Sequence, residues 1–134
     1  DHLARDRALS SRLDLPMTPP DRGALIAAVR SALEDTHAEY GRMPFFVRPM
    51  VRRGFARRTG HDLDGWRRLL LDAAAEHGSS RELVAALELL AVHFDGAPAR
   101  AQRGMGARPD ELREVTRRSE ARAAAVRALA AALR

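Results

Sequence analysis

One window of the chain, residues 41–60, reads GRMPFFVRPMVRRGFARRTG and holds six arginines (Arg42, Arg48, Arg52, Arg53, Arg57, Arg58) without a single acid. A guanidinium stays charged and presents a planar fork that grips two oxygens of a carboxylate or phosphate at once. Phe45, Phe46 and Phe55 are interleaved with these charges, together with Pro44 and Pro49. The other 114 residues carry 17 arginines against 18 acids, so the formal charge of +5 is local to this stretch. A basic, aromatic segment on an otherwise balanced chain is a candidate contact surface for an anion or an acidic partner. The candidate binding residues are therefore Arg42, Phe45, Phe46, Arg48, Arg52, Arg53, Arg57 and Arg58.

Arginine count alone carries little of this argument. Lysine and asparagine are absent and isoleucine occurs once, at Ile26. Their codons are A-rich, so the composition points to a high-GC bacterial gene that uses arginine in place of lysine throughout. Clustering is the signal. Two readings of the cluster stand side by side. In one, the phenylalanines pack into the core and the arginines line a solvated helix face. In the other, the arginines meet phosphates or carboxylates, which would relieve the repulsion among six close cations. On a helix starting near Pro49, Val51, Phe55 and Arg58 share one side, while Met50, Arg52, Arg53 and Arg57 spread around the rest.

Other chemistry is sparse. The histidines His2, His37, His61, His77 and His93 form no pair at i, i+4 and no HExxH, so no metal site is expected. His93 beside Phe94 has the type to ligate a haem, but a lone histidine on an apolar face is more often packed. No glycine-rich phosphate loop, nucleophile elbow or spaced carboxylate pair is present, and the expectation is a protein that is not an enzyme and has no cofactor. With no cysteine, the chain by itself supplies neither disulfides, a thiolate nucleophile nor cluster ligands.

The elements that must position the basic segment are helical, with alanine and leucine dominant and no sustained period-two alternation. Residues 1–16 read as an N-terminal arm stopped at Pro16. Thr18, followed by Pro19-Pro20-Asp21, reads as a helix start, and Leu25, Ile26, Val29 and Leu33 carry the buried stripe to about Tyr40. A turn at Pro44 to Arg48 then leads into a helix from Pro49 to Thr59 closed by Gly60. Gly54 inside it weakens the helix by ~1 kcal/mol unless a neighbour must approach closely. Asp62 caps a helix reaching near Gly78 that carries Leu63, Trp66, Leu69, Leu70 and Ala73, and Ser79 caps the next, which ends at Asp95-Gly96. Residues 95–108 read as a polar, mobile loop. The helix over residues 109–134 has a seam of Leu112, Val115, Val126, Leu129 and Leu133, interrupted by Ser119 and Arg122, that packs on its own domain or forms a homodimer.

Residues 1–134 thus form one all-α domain of five to six helices in a small orthogonal or irregular bundle, long enough to bury a core. No apolar run approaches the ~20 residues of a membrane span, and no secretion signal is visible, so a cytoplasmic location is expected. The chain begins at Asp1, as expected if a preceding segment has been trimmed.

Within residues 35–74, the run Met43-Pro44-Phe45-Phe46-Val47-Arg48, the pair Arg52-Arg53, Gly60 and the helix Leu63 to Ala74 follow the acid- and alanine-bearing His37-Ala38-Glu39. This stretch resembles the small C-terminal helical domain of the B subunit of light-independent protochlorophyllide reductase. The resemblance implies a helical module that helps cover a tetrapyrrole or docks onto a larger partner. It does not imply reductase activity in this chain. Taken together, the expected function is a non-enzymatic docking module in which residues 42–58 contact a larger protein or a carboxylate-bearing ligand such as a tetrapyrrole. The alternatives are nucleic-acid binding through the same arginines and self-association through the C-terminal helix.

Overall fold

The computed structural model of the chain describes residues 21–77 and 79–134. Among them are six helices and no strand: α1 (Arg22–Gly41), α2 (Arg48–Thr59), α3 (Leu63–Ala74), α4 (Ser80–Asp95), α5 (Ala97–Met105) and α6 (Pro109–Leu133). The all-α bundle expected from composition is the fold. The proposed N-terminal arm, the Thr18 cap and Gly78 lie outside the described residues.

Local sequence sets each boundary. Asp21, expected inside the first turn of α1, is instead extended (φ −67°, ψ 156°) and caps the helix, accepting from the Ala24 N–H at 2.8 Å. Asp62 caps α3 through the Gly65 N–H at 2.7 Å, and Ser79 caps α4 through that of Glu82 at 3.3 Å, both as expected. Gly60 closes α2 in the left-handed region at φ 87°. Helix α3 stops at Ala74, short of Gly78, because Glu76 itself turns left-handed (φ 59°) and the His77 N–H then bonds the Asp72 carbonyl at 2.7 Å.

The mobile loop placed at residues 95–108 needs correction, since most of it is α5. Gly96 leads directly from α4, Pro98 sits in the first turn where its missing N–H costs nothing, and alanine, arginine and glutamine follow. Gly106, at φ 57°, ends the helix.

Helix α6 packs on α4, α1 and α5, while α2 and α3 each pack on α1 and α4. The core is one cluster, with Val29, Leu33, Phe55, Trp66, Leu70, Leu87, Leu90, Phe94, Val126 and Leu129 almost wholly removed from solvent. Val126 and Leu129 are therefore spent on intramolecular packing, and this part of the seam serves the domain. Its two polar interruptions fit that role. Ser119 is buried and donates to the Thr116 carbonyl at 3.1 Å, and Arg122 forks onto Glu39 at 3.0 and 2.6 Å while also reaching Thr36 Oγ1 at 3.1 Å. Burial works against ionisation of Glu39, yet the Arg122 fork holds its carboxyl below the usual carboxylate range.

The left-handed Glu76 makes a direct test of this frame. Glycine at that position removes the Cβ penalty, and the Arg22 ion pair it would lose is long (3.6 Å) and exposed. Glu76→Gly is expected to stabilise the fold by about 1 kcal/mol in chemical denaturation.

Candidate functional site

The rotation of α2 is set by Phe55, whose side chain is wholly buried. Its ring meets His37 edge-on at 4.6 Å and His93 at 4.9 Å between centroids, with Tyr40 at 6.3 Å. Thr59, one turn further along, is also buried: its hydroxyl accepts from the Trp66 indole N–H at 3.0 Å and donates to the His61 carbonyl at 3.0 Å. With these residues inside, Met50, Arg52, Arg53 and Arg57 must face outward, and all four are exposed. Met50, Arg53 and Arg57 follow one another at three and four residues, along one stripe.

The turn before α2 carries the remaining rings. The Val47 N–H bonds the Pro44 carbonyl at 2.9 Å, and Arg48 Nε donates across the turn to the Met43 carbonyl at 2.8 Å. Phe45 and Phe46 leave this turn outward, 77% and 71% exposed, with their rings edge to face at 5.8 Å. Met50 beside them is 61% exposed. Core packing thus holds for Phe55 alone among the three phenylalanines.

The structure divides the eight candidate residues. Arg42, Phe45, Phe46, Arg52, Arg53 and Arg57 lie on the outward face, and Arg52 reaches back so that its Nη2 would sit 3.8 Å from a Cβ placed on Gly41. Arg48 is half-buried and holds the turn closed. Arg58 points the other way: it is half-buried, and its Nε donates to His93 Nδ1 at 3.1 Å. Met50 belongs to the face although it was not among the candidates; the helical periodicity from Pro49 was the signal for it. Among the described residues, no carboxylate lies within 4 Å of any of the six arginines. The ion pairs involve other arginines, as in Arg67–Glu34, Arg122–Glu39 and Arg127–Asp95.

An open groove of about 500 Å³ runs beside α2, lined in part by Glu34, His37, Arg52, Asp64 and Arg67. Three of its polar groups, Glu34, Asp64 and Arg67, already bond one another. Arg67 forks onto Glu34 at 2.6 Å through two nitrogens and reaches Asp64 at 3.0 Å, which lowers the Glu34 pKa. The exposed rings do not line it.

Behind α2, His93 is buried between aromatic edges, packed as expected of a lone histidine. Because Arg58 donates to Nδ1, the neutral ring carries its proton on Nε2. Burial, then the positive charges of Arg100 and Arg58, push its pKa down to about 3. His37, whose Nδ1–H donates to the Leu33 carbonyl at 3.0 Å, is also lowered, chiefly by burial.

No family model, curated protein or solved structure matches the chain.

Acid sensitivity follows from His93. The unfolded chain takes up a proton near pH 6.5, whereas the folded chain resists protonation until about pH 3. Stability is thus complete above pH 6.5 and falls as the pH drops through that window. By pH 4.5 the loss is expected to be roughly 3 kcal/mol, before the paired carboxylates begin to contribute. Urea denaturation across pH 7.5 to 4.5 checks this. His93→Gln, which keeps an acceptor for Arg58 but does not titrate, should flatten most of the slope.

Proposed function

We propose that the chain is a docking module that contacts a larger protein through the face formed by Arg42, Phe45, Phe46, Met50, Arg52, Arg53 and Arg57. The observation that carries this reading is the outward placement of Phe45 and Phe46 on a turn that the fold holds closed. Two phenyl rings and a thioether left in water, rimmed by arginines, match the composition of interface cores, which are enriched in aromatics, methionine and arginine. The matching partner surface is an apolar pocket with an acidic rim. The rings would supply the buried contact, while the arginines would supply steering and register.

The resemblance over residues 35–74 supports docking onto a larger partner. It leaves a tetrapyrrole as the competing occupant, because rings and arginines also suit a flat dicarboxylate. Nucleic acid is the other competitor, through base stacking on the same rings. On this reading the module needs no chemistry of its own and works in the cytoplasm. A second copy as partner would find other exposed apolar side chains, such as Leu89 and Val92 on α4, since Val126 and Leu129 of the α6 seam are buried.

The test compares wild type with Phe45→Ala/Phe46→Ala and with Arg52→Glu/Arg53→Glu, each purified from its own host under identical conditions. All three should share helicity and melting temperature, because none of these side chains is in the core. A specific protein that co-purifies stoichiometrically with wild type, rebinds in purified form and is lost from both variants supports docking. A Soret-type absorption band lost with the rings would replace it by the tetrapyrrole reading. A high 260/280 nm ratio removed by salt would replace it by nucleic acid.

A further inference from the structure

The arginine that turned away from the outward face leads to a second site. Arg58 on α2 and Arg100 on α5 converge on a single residue, the buried His93 of α4. Arg58 Nε donates to its Nδ1 at 3.1 Å, and Arg100 Nη2 donates to its carbonyl oxygen at 2.6 Å. Each guanidinium lies over a glycine four residues earlier in the chain. A Cβ on Gly54 would come within 3.0 Å of Arg58 Nη1, and one on Gly96 within 2.7 Å of Arg100 Nη1. The close neighbour that a glycine inside α2 demands is therefore the guanidinium of Arg58. The same arrangement recurs at the junction of α4 and α5.

Neither cation has an acid among the described residues. Among the described residues no carboxylate lies within 4 Å of Arg58 or Arg100, and the acids nearest in sequence to the other groups of the site, Glu39 and Asp95, are already forked by Arg122 and Arg127. Like-charge proximity is felt: burial and then the charge of Arg58 depress the Arg100 pKa. Tyr40 closes the group from α1. Burial raises its phenol pKa, although both arginines draw it down, so a protonated hydroxyl stands near the two cations. Both guanidiniums are only half-buried, and most of their N–H groups are not used by the bonds to His93.

We propose that Arg58 and Arg100, held over Gly54 and Gly96 and braced on His93, form a binding site for a dianionic phosphate group. Two cations without an acid call for two negative charges, which a phosphate or phosphate monoester provides and a single carboxylate does not. The site is separate from the docking face: it uses α2, α4 and α5, and of the eight candidate residues only Arg58 belongs to it.

Inorganic phosphate is the probe. Titrating the purified full chain at constant ionic strength and neutral pH, followed by calorimetry and melting temperature, is expected to give a saturable response at one site per chain. Chloride and acetate at matched ionic strength should not reproduce it. Arg58→Gln and Arg100→Gln should each weaken phosphate binding by about tenfold or more. Gly96→Ala retains both cations and a good helix former but displaces the Arg100 guanidinium, so it should weaken binding while the fold is kept. Arg52→Glu/Arg53→Glu should bind phosphate as wild type does. Phenyl phosphate separates the sources: an equal response marks a phosphate ester as the ligand, and a response to inorganic phosphate alone marks the free ion. An equal response to chloride, unchanged affinity in both Arg100→Gln and Gly96→Ala, or loss in Arg52→Glu/Arg53→Glu with retention in Arg58→Gln, would overturn the proposal.

Discussion

The arrangement of this small domain depends on one buried ring. Phe55 sits where α1, α2 and α4 meet, with edges of His37 and His93 against it, and its burial leaves α2 a single rotation. Removing a wholly buried phenyl ring from such a cluster costs ~3–5 kcal/mol, so no slipped or rotated α2 competes. Everything distinctive about the basic segment follows from that geometry. Met50, Arg52, Arg53 and Arg57 face water because Phe55 does not. Arg58, three residues along, is carried inward to His93. The Trp66–Thr59 hydrogen bond then ties the end of α2 to the start of α3, so the rotation is fixed at both ends.

Charge is handled in two different ways in the same molecule. In α1, α3 and α6 several arginines pair with carboxylates, and the best-shielded of these pairs, Arg122 with Glu39, fastens the C-terminal helix to the first. Most such exposed pairs contribute little to stability. In α2 and α5 the described arginines have no acid beside them, and Arg48, Arg58 and Arg100 bond to carbonyls or to His93 instead. Arginines clustered in α2 with no acid beside them among the described residues concentrate a positive field on that helix.

Much of this was legible in the sequence, for identifiable reasons. Asp62, Ser79 and Gly60 mark helix ends because capping is local chemistry, complete within three or four residues. The outward stripe of α2 follows from helical periodicity once Phe55 is taken as the inward residue. Helix α5 was hidden because Gly96, Pro98, Gly104 and Gly106 look like loop residues when counted, whereas their positions make them a start, a first turn and a stop. The cap of α1 was missed because an aspartate suits a first turn as well as a cap position, and only backbone geometry shows which role Asp21 takes. The pairing of Arg58 with Arg100 was beyond sequence reasoning, since two helices distant along the chain come together only through His93. Which phenylalanines would be buried was equally open, because a turn of five residues can aim its rings either way.

The hydrogen bond from Arg48 Nε to the Met43 carbonyl has a kinetic meaning as well as a structural one. It closes the Pro44–Val47 turn with a side chain from the helix that follows, so the two outward rings are set before anything meets them. Fixing one backbone residue at the moment of association costs about 1–2 kcal/mol, and a turn already closed avoids that cost several times over. Encounter with such a face would need no folding step. Its association rate would be governed by diffusion and by the field of the neighbouring arginines, and the lifetime of the resulting complex by how completely the other surface encloses the two rings.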